Sequence, residues 1–293
     1  MNYYEDLNEI CQRLKINNIV TNDIDAWNKH KNYKKIYNKL WLVELQNINC
    51  GPIGTEPDYY PIVIKPIINL YGMSRSFKII KNQKEYLQNQ VDGCFWMPYL
   101  SGKNFTIDLI LDKGKIVNYY CLESEPSIEG TFKYHVYRPK YKLSDKIIKI
   151  IENNFIGYSG PMNIEIINDI IIEGHLRLNG DLYLYDDYFF KNLSKLIDNK
   201  NYILKVNKKK IYLFPYFVDS TFNLKILNKN EIEEILLDNN VNNIRWDNIK
   251  SLYQKSDLSR LLMYKTNTLK DGYFIKKNIN KNLFIRNKIY QII

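Results

Sequence analysis

The stretch GPMNIEIINDIIIEGHLRLNGD, residues 160–181, decides how the chain is read. Ile164, Ile166 and Ile167 on one side of Asn168-Asp169, and Ile170, Ile171 and Ile172 on the other, are β-branched runs bounded by turn residues. Such runs predict two short, largely buried strands joined as a hairpin. Each run delivers an acid, Glu165 in the first and Glu173 at the end of the second. The two positions differ by an even number, so period-two geometry predicts that the hairpin turns both carboxylates to one face. His175 and Arg177 follow at further steps of two and share that face if the strand continues.

Two carboxylates side by side in an apolar setting repel unless a cation or a shared proton lies between them. Oxygen ligands of this kind suit magnesium, which completes its shell with water and substrate phosphates. The alternative is an ordinary amphipathic hairpin whose polar face meets water.

The 293 residues suffice for one large domain or two ordinary ones with a substantial core. Tyr 25 and Phe 12 argue for a packed protein over a disordered one. The formal charge of +10, from Lys+Arg 42 against Asp+Glu 32, favours polyanionic partners. The chain is also rich in Asn, Ile and Tyr, the set that AT-rich coding sequence favours with Lys, so charge alone is discounted as a functional clue. Cys11, Cys50, Cys94 and Cys121 are scattered without a C-x-x-C pair, and there are 3 His, which disfavours structural zinc. No run of 18 apolar residues occurs and the amino terminus has no apolar leader segment, so a soluble, intracellular protein with reduced thiols is expected.

Residues 1–40 read mainly as helices, with a stripe at Tyr4, Leu7, Ile10, Cys11 and Leu14, an N-cap at Asn22-Asp23, and a further helical stripe at Tyr33, Tyr37, Leu40 and Trp41. Ile62, Val63 and Ile64 form a strand ending in Lys65, a lysine that needs an anion if its charge is buried. Gly72, Met73 and Ser74 lie in a following loop that reads either as a hairpin turn or as a phosphate-meeting backbone. Phe95, Trp96 and Tyr99 around Pro98 suggest a hinge with aromatic walls, or plain core packing. Residues 104–111 alternate, and Asp112-Lys113-Gly114-Lys115 predicts a hairpin into residues 116–120. Residues 121–141 read as a polar excursion, and 144–153, 183–199 and 230–238 as helices. A second hairpin is expected around Lys208, Lys209 and Lys210, between residues 202–206 and 211–214. From about Thr266 the chain is basic and Asn-rich, expected as a solvated surface element, with polyanion binding as the alternative.

The order of these motifs resembles the ATP-grasp superfamily over roughly residues 34–200. Asn38-Lys39 looks like the D/N-K pair that opens a grasp domain, and Ile64-Lys65-Pro66 like its V-K-P strand. The Gly72-Met73-Ser74 loop sits where the phosphate-covering loop would lie. Residues 99–108, YLSGKNFTID, are similar to the hinge and following strand, E-x-x-L-x-G-x-E-x-[ST]-x-[DE]. Glu165 and Glu173-Gly-His175-Leu-Arg177 resemble the metal-binding ending, where E-x-N-P-R is usual.

The resemblance implies an α+β ATP-grasp fold in which two subdomains with antiparallel sheets grip a nucleotide. The expected division is a helical region 1–40, subdomains 41–95 and 96–200, and a basic extension 201–293. Lys39 and Lys65 would hold phosphates, Met97, Pro98, Tyr99 and Leu100 would meet adenine, and Asn104 would stand at the ribose. Glu165, Glu173 and His175 would hold magnesium, and Arg177, with Lys65, would steady charge on the transferred phosphoryl group. Met97, Asn104, His175 and Leu176 depart from the usual residues at their positions.

The implied activity is an ATP- and magnesium-dependent ligase, with a carboxylate activated as an acyl phosphate and attacked by an amine or thiol. Glu129, His135 and Arg138 are the expected acceptor-side residues. Two alternatives remain at this stage: a nucleotide-binding interaction protein without catalysis, and nucleic-acid binding through the basic carboxy-terminal segment.

Overall fold

The computed structural model describes residues 2–3, 6–71, 77–127, 132–180, 185–205, 209–219, 229–239, 241, 243–246 and 258–282. Gly72, Met73, Ser74 and Glu129 lie outside them, as does part of the expected lysine turn. In chain order the strands are β1 (Asn2–Tyr3), β2 (Gly51–Pro52), β3 (Ile62–Pro66), β4 (Lys78–Ile80), β5 (Cys94–Pro98), β6 (Asn104–Asp112), β7 (Lys115–Pro126), β8 (Phe132–Tyr137), β9 (Gly160–Ile167), β10 (Ile170–His175), β11 (Tyr212–Asp219), β12 (Asn243–Trp246) and β13 (Leu258–Thr266). The helices used below are α1 (Leu7–Arg13), α2 (Asp23–Lys29), α3 (Lys39–Glu44), α4 (Gln83–Gln88), α5 (Asp145–Asn154), α6 (Asp187–Ile197) and α7 (Lys229–Asp238).

The chain forms two compact units, one of Asp6–Glu123 and Arg138–Asn207, the other of Met1–Glu5, Ser124–Tyr137 and Lys208–Ile293. The first unit holds two sheets. One is the antiparallel set β2-β5-β3-β4, and the other runs β7-β6-β9-β10. Helix starts follow capping chemistry: Asp6, Asn22, Asn38, Asn82, Ser144 and Asp186 each accept a backbone N–H of the first turn. The expected helix through Tyr33 and Trp41 is two elements, a 3-10 turn over Lys31–Tyr37 and then α3, because Asn38 leaves the helical backbone to cap α3.

On the apolar face of β6, β9 and β10, Ile107, Leu109, Ile164, Ile166 and Ile171 are fully buried against Ile36, Leu42, Ile147 and Ile151. The Asn168-Asp169 turn forms as expected, both residues having positive φ (50° and 64°), the geometry of a two-residue hairpin loop. The parity argument for the acids needs correction. Ile170 pairs with Ile167 and Ile171 with Ile166, so an unbroken register would set Ile172 opposite Glu165. A β-bulge between Ile171 and Glu173 inserts one residue and places Glu173 opposite Glu165 instead. The acids share a face because of the bulge and in spite of the hairpin's parity.

In the second unit, β1 pairs parallel with β12, and β12, β13, β11 and β8 pair antiparallel in that order. Three expectations change here. The described residues of 121–141, expected as a polar excursion, are largely strand, carried by β7 and β8. Tyr212 pairs with Thr266 and Val136, and residues 201–205 form no strand, so the expected hairpin around the lysines is absent among the described residues. The helix Leu269–Asn282 is no solvated appendage: Ile275 and Ile279 are fully buried with Phe214, Tyr264 and Leu236. Its lysines mask a period of four that buries one apolar stripe.

Candidate functional site

Register alone builds the floor of the site. Glu165 pairs with Thr106 on one side and Glu173 on the other, and Asn163 pairs likewise with Asp108 and His175. One face of the sheet therefore carries two cross-strand rows, Thr106–Glu165–Glu173 and Asp108–Asn163–His175.

The first row meets cations. Lys39, the first residue of α3 and 5% exposed, places Nζ 2.8 Å from Glu173 Oε1. His175 Nε2 lies 3.4 Å from that oxygen, and its Nδ1 lies 3.0 Å from Oδ1 of buried Asp23. Asp23 Oδ2 accepts from Arg177 Nη2 at 2.7 Å, and Tyr37 donates its hydroxyl to Oδ1 at 3.2 Å. Lysine, glutamate, histidine, aspartate and arginine thus form one buried chain in which basic and acidic side chains alternate. Burial opposes charge on Glu173, but the His175 hydrogen bond and the Lys39 ammonium outweigh it and hold the carboxyl well below its usual range. Burial likewise opposes Asp23, which His175 and Arg177 hold low. For His175, burial and Arg177 disfavour the imidazolium, and the bonds to Asp23 and Glu173 overcome them, so its pKa is raised.

Lys65 has a different setting. Its Nζ donates to Ile172 O at 2.9 Å and stands 5.6 Å from the centroid of the Phe95 ring. A carbonyl carries only partial charge, so burial, with Lys39 beside it, pushes the Lys65 pKa down to about 8, against the pull of Glu173 and Glu165. Glu165 is pushed up by burial and by the charge of Glu173. Asn104, at the start of β6, has a buried Oδ1 that finds no hydrogen-bond partner among the described residues.

Buried lysines from α3 and β3 converge on an acidic pair from β9 and β10, so the two sheets of this unit meet at one polar centre. Solved structures with this arrangement of elements follow. An L-amino acid ligase from Bacillus licheniformis matches with a TM-score of 0.57 at 14% identity, over 88% of this chain and 73% of that one. N5-carboxyaminoimidazole synthetase from Staphylococcus aureus, complexed with ADP, matches with a TM-score of 0.57 at 13% identity, over 85% and 72%. The biotin carboxylase domain of 2-oxoglutarate carboxylase from Hydrogenobacter thermophilus, in complex with MgADP, ADP and bicarbonate, matches with a TM-score of 0.55 at 11% identity, over 85% and 66%. This chain has the ATP-grasp fold. No protein-family model matches the sequence, and no curated protein does either.

Within the ATP-grasp frame, the structure brings Lys39, Lys65, Glu165, Glu173, His175 and Arg177 together, and leaves others apart. Both nitrogens of His175 face carboxylates, so the ring has no lone pair turned to a metal, and among the described residues no group of three or more His, Cys, Asp or Glu is arranged to hold one. The acid pair itself still offers two carboxylates, a number magnesium accepts when phosphates complete its shell. Met97 and Pro98 end β5, where Pro98 has no N–H and Tyr99 donates its own to Pro61 O at 3.1 Å; Leu100 packs against the cluster of Val43, Val63, Phe95 and Met97. Arg138 is committed to Glu123 at 2.6 Å, and Lys103 holds the other Glu123 oxygen at 2.9 Å. His135, in the other unit, is buried with Nδ1 2.7 Å from Ser124 Oγ.

Sequence reasoning missed Asp23, Tyr37 and Gln46. Asp23 stood out only as part of an N-cap; its pairing with His175 spans 152 positions and leaves no local signal.

Proposed function

We propose that this chain binds ATP with magnesium at the Lys39, Lys65, Glu165 and Glu173 centre and is a ligase that activates a carboxylate as an acyl phosphate for an amine or thiol. One observation carries the reading: two nearly buried lysines from separate elements converge on an acidic pair in an ATP-grasp fold. Neighbours of this fold include an amino acid ligase and enzymes solved with ADP, with ATP, and with MgADP and bicarbonate, which supports the nucleotide and the metal.

In this reading the two sheets of the first unit grip the nucleotide. Glu165 and Glu173 would hold magnesium, which would neutralise phosphate charge. Lys65 faces a carbonyl rather than a carboxylate, and a phosphate oxygen supplies the full anion that its buried ammonium lacks. Lys39, shifting from Glu173 Oε1 to a phosphate oxygen, would leave that Glu173 oxygen free to hold a metal. His175 acts as a fixed positive neighbour of Glu173 rather than a ligand, oriented by Asp23. Arg177, bonded through Nη2 to Asp23, keeps Asp23 charged and stands beside the centre to steady charge on the transferred group. The backbone from Met97 to Leu100 lines the adenine, and Asn104 presents a neutral acceptor towards the ribose. Arg138 stays assigned to the acceptor side.

A second reading, nucleotide binding without catalysis, draws on the same commitment of His175 and Lys39 to carboxylates. Incubation with ATP, magnesium and a panel of carboxylates with amine or thiol acceptors separates the two. ADP release that requires one acid of the panel supports the ligase. Tight magnesium-dependent ATP binding with no ADP release across the panel supports the non-catalytic reading.

A further inference from the structure

The bulge that brings Glu173 opposite Glu165 interrupts β10 at Ile172, and an interrupted edge strand leaves backbone groups to be satisfied. Both backbone groups of Ile171 go to a single side chain. Ile171 N–H donates to Gln46 Oε1 at 2.8 Å, and Gln46 Nε2 donates to Ile171 O at 2.8 Å. The second Nε2 hydrogen goes to Leu42 O at 2.7 Å, in the last turn of α3. Gln46 is buried, and its amide stands where a neighbouring strand's peptide would otherwise pair. The inserted residue is held separately: Ile172 O accepts from Lys65, and its side chain packs with Val43, Val63, Phe95 and Met97. Helix α3 and the turn that follows it are thus tied to β10 at two points, Lys39 on Glu173 and Gln46 on Ile171.

We propose that Gln46 is a positioning residue for the acid pair, its side-chain amide fixing the bulge that sets Glu173 against Glu165 and Ile172 O against Lys65. The role of that pair in holding metal rests on the function proposed above; the role of Gln46 in the register does not. An amide is required because the position needs one acceptor and two donors at once. Leucine matches its size and supplies none, and glutamate accepts from Ile171 N–H but turns an anion towards two carbonyls.

The test compares wild type with Gln46→Leu and Gln46→Glu, using a non-hydrolysable ATP analogue titrated with and without magnesium. Groups that orient metal ligands change metal affinity by about 10–100-fold when removed. The magnesium-dependent gain in analogue affinity should fall by about tenfold or more in both variants, with metal-free affinity within about threefold of wild type. An unchanged gain overturns the proposal. Hydrogen–deuterium exchange on the same proteins separates this from failure of the nucleotide reading. If wild type binds no nucleotide, that reading falls, and the register role is decided by the peptide spanning residues 170–175. Faster exchange there in the variants, with residues 160–164 unchanged, supports Gln46, and unaltered exchange overturns it. Should Gln46→Leu fail to fold, Gln46→Glu carries both measurements.

Discussion

Two rows of side chains lie next to each other on one sheet face, and they dispose of their charge in opposite ways. In the row through Asp108, the carboxylate is fully buried and accepts from Asn163 Nδ2 at 2.8 Å, Asn179 N–H at 2.8 Å and the Tyr185 hydroxyl at 2.6 Å. Its partners are neutral, and burial pushes its pKa up to about 7. In the row through Glu165 and Glu173 the partners are ammonium and imidazole groups, and Glu173 stays ionised. A carboxylate saturated by neutral donors is a finished piece of structure. One balanced by basic side chains, with a second acid beside it, can exchange such a partner for another cation.

The largest expected effect falls on the charged row. Glu173→Ala leaves the Lys39 ammonium and the His175 imidazolium without their shared anion and should lower stability by about 3 kcal/mol, the scale for breaking a buried ion pair; urea melts measure it. If the loss is under about 1 kcal/mol, the two rows do not differ in the way described. Asp23→Asn should follow at about 2 kcal/mol, since it weakens bonds to His175 and Arg177 while keeping an acceptor. Gly174→Ala should cost about 1–2 kcal/mol, because a Cβ there would come within 2.6 Å of the Ile36 side chain behind the site. The smallest effect belongs to Arg13→Ala, which breaks an exposed pair with Asp187 and should change stability by about 0.5 kcal/mol.

The rows also predict opposite pH dependence. Glu173 is held below the ordinary 4.5, so its contribution is present above that pH and is lost as pH falls further. Asp108 is raised from 3.8 to about 7, so the folded state keeps a proton that the unfolded chain releases, and stability falls as pH rises between those values. Denaturation at a series of pH values should show the acid-side loss diminished in Glu173→Gln and the decline between about pH 4 and 7 diminished in Asp108→Asn.

Much of this was legible in the chain. Ile runs around Asn168-Asp169 announced the hairpin, and Asn38-Lys39, Ile64-Lys65-Pro66 and Glu173-Gly-His175-Leu-Arg177 carried the resemblance that implied the fold. The partner of each group was not legible. Whether His175 faces a metal or two carboxylates depends on Asp23, far away in sequence, and the alignment of the acids depends on one inserted residue and on Gln46. The buried stripe of the helix Leu269–Asn282 was hidden by lysines that share its turns. Periodicity reports which side of an element is apolar; it does not report what the polar side meets.

A co-crystal structure with a non-hydrolysable ATP analogue and magnesium tests the central claim most directly. The expected result is a triphosphate contacted by Lys39 and Lys65, with a magnesium ion on Glu165 and Glu173 and Lys39 withdrawn from Glu173 Oε1. A nucleotide bound elsewhere, or Lys39 still closed on Glu173 with the phosphates out of reach of Lys65, would contradict it.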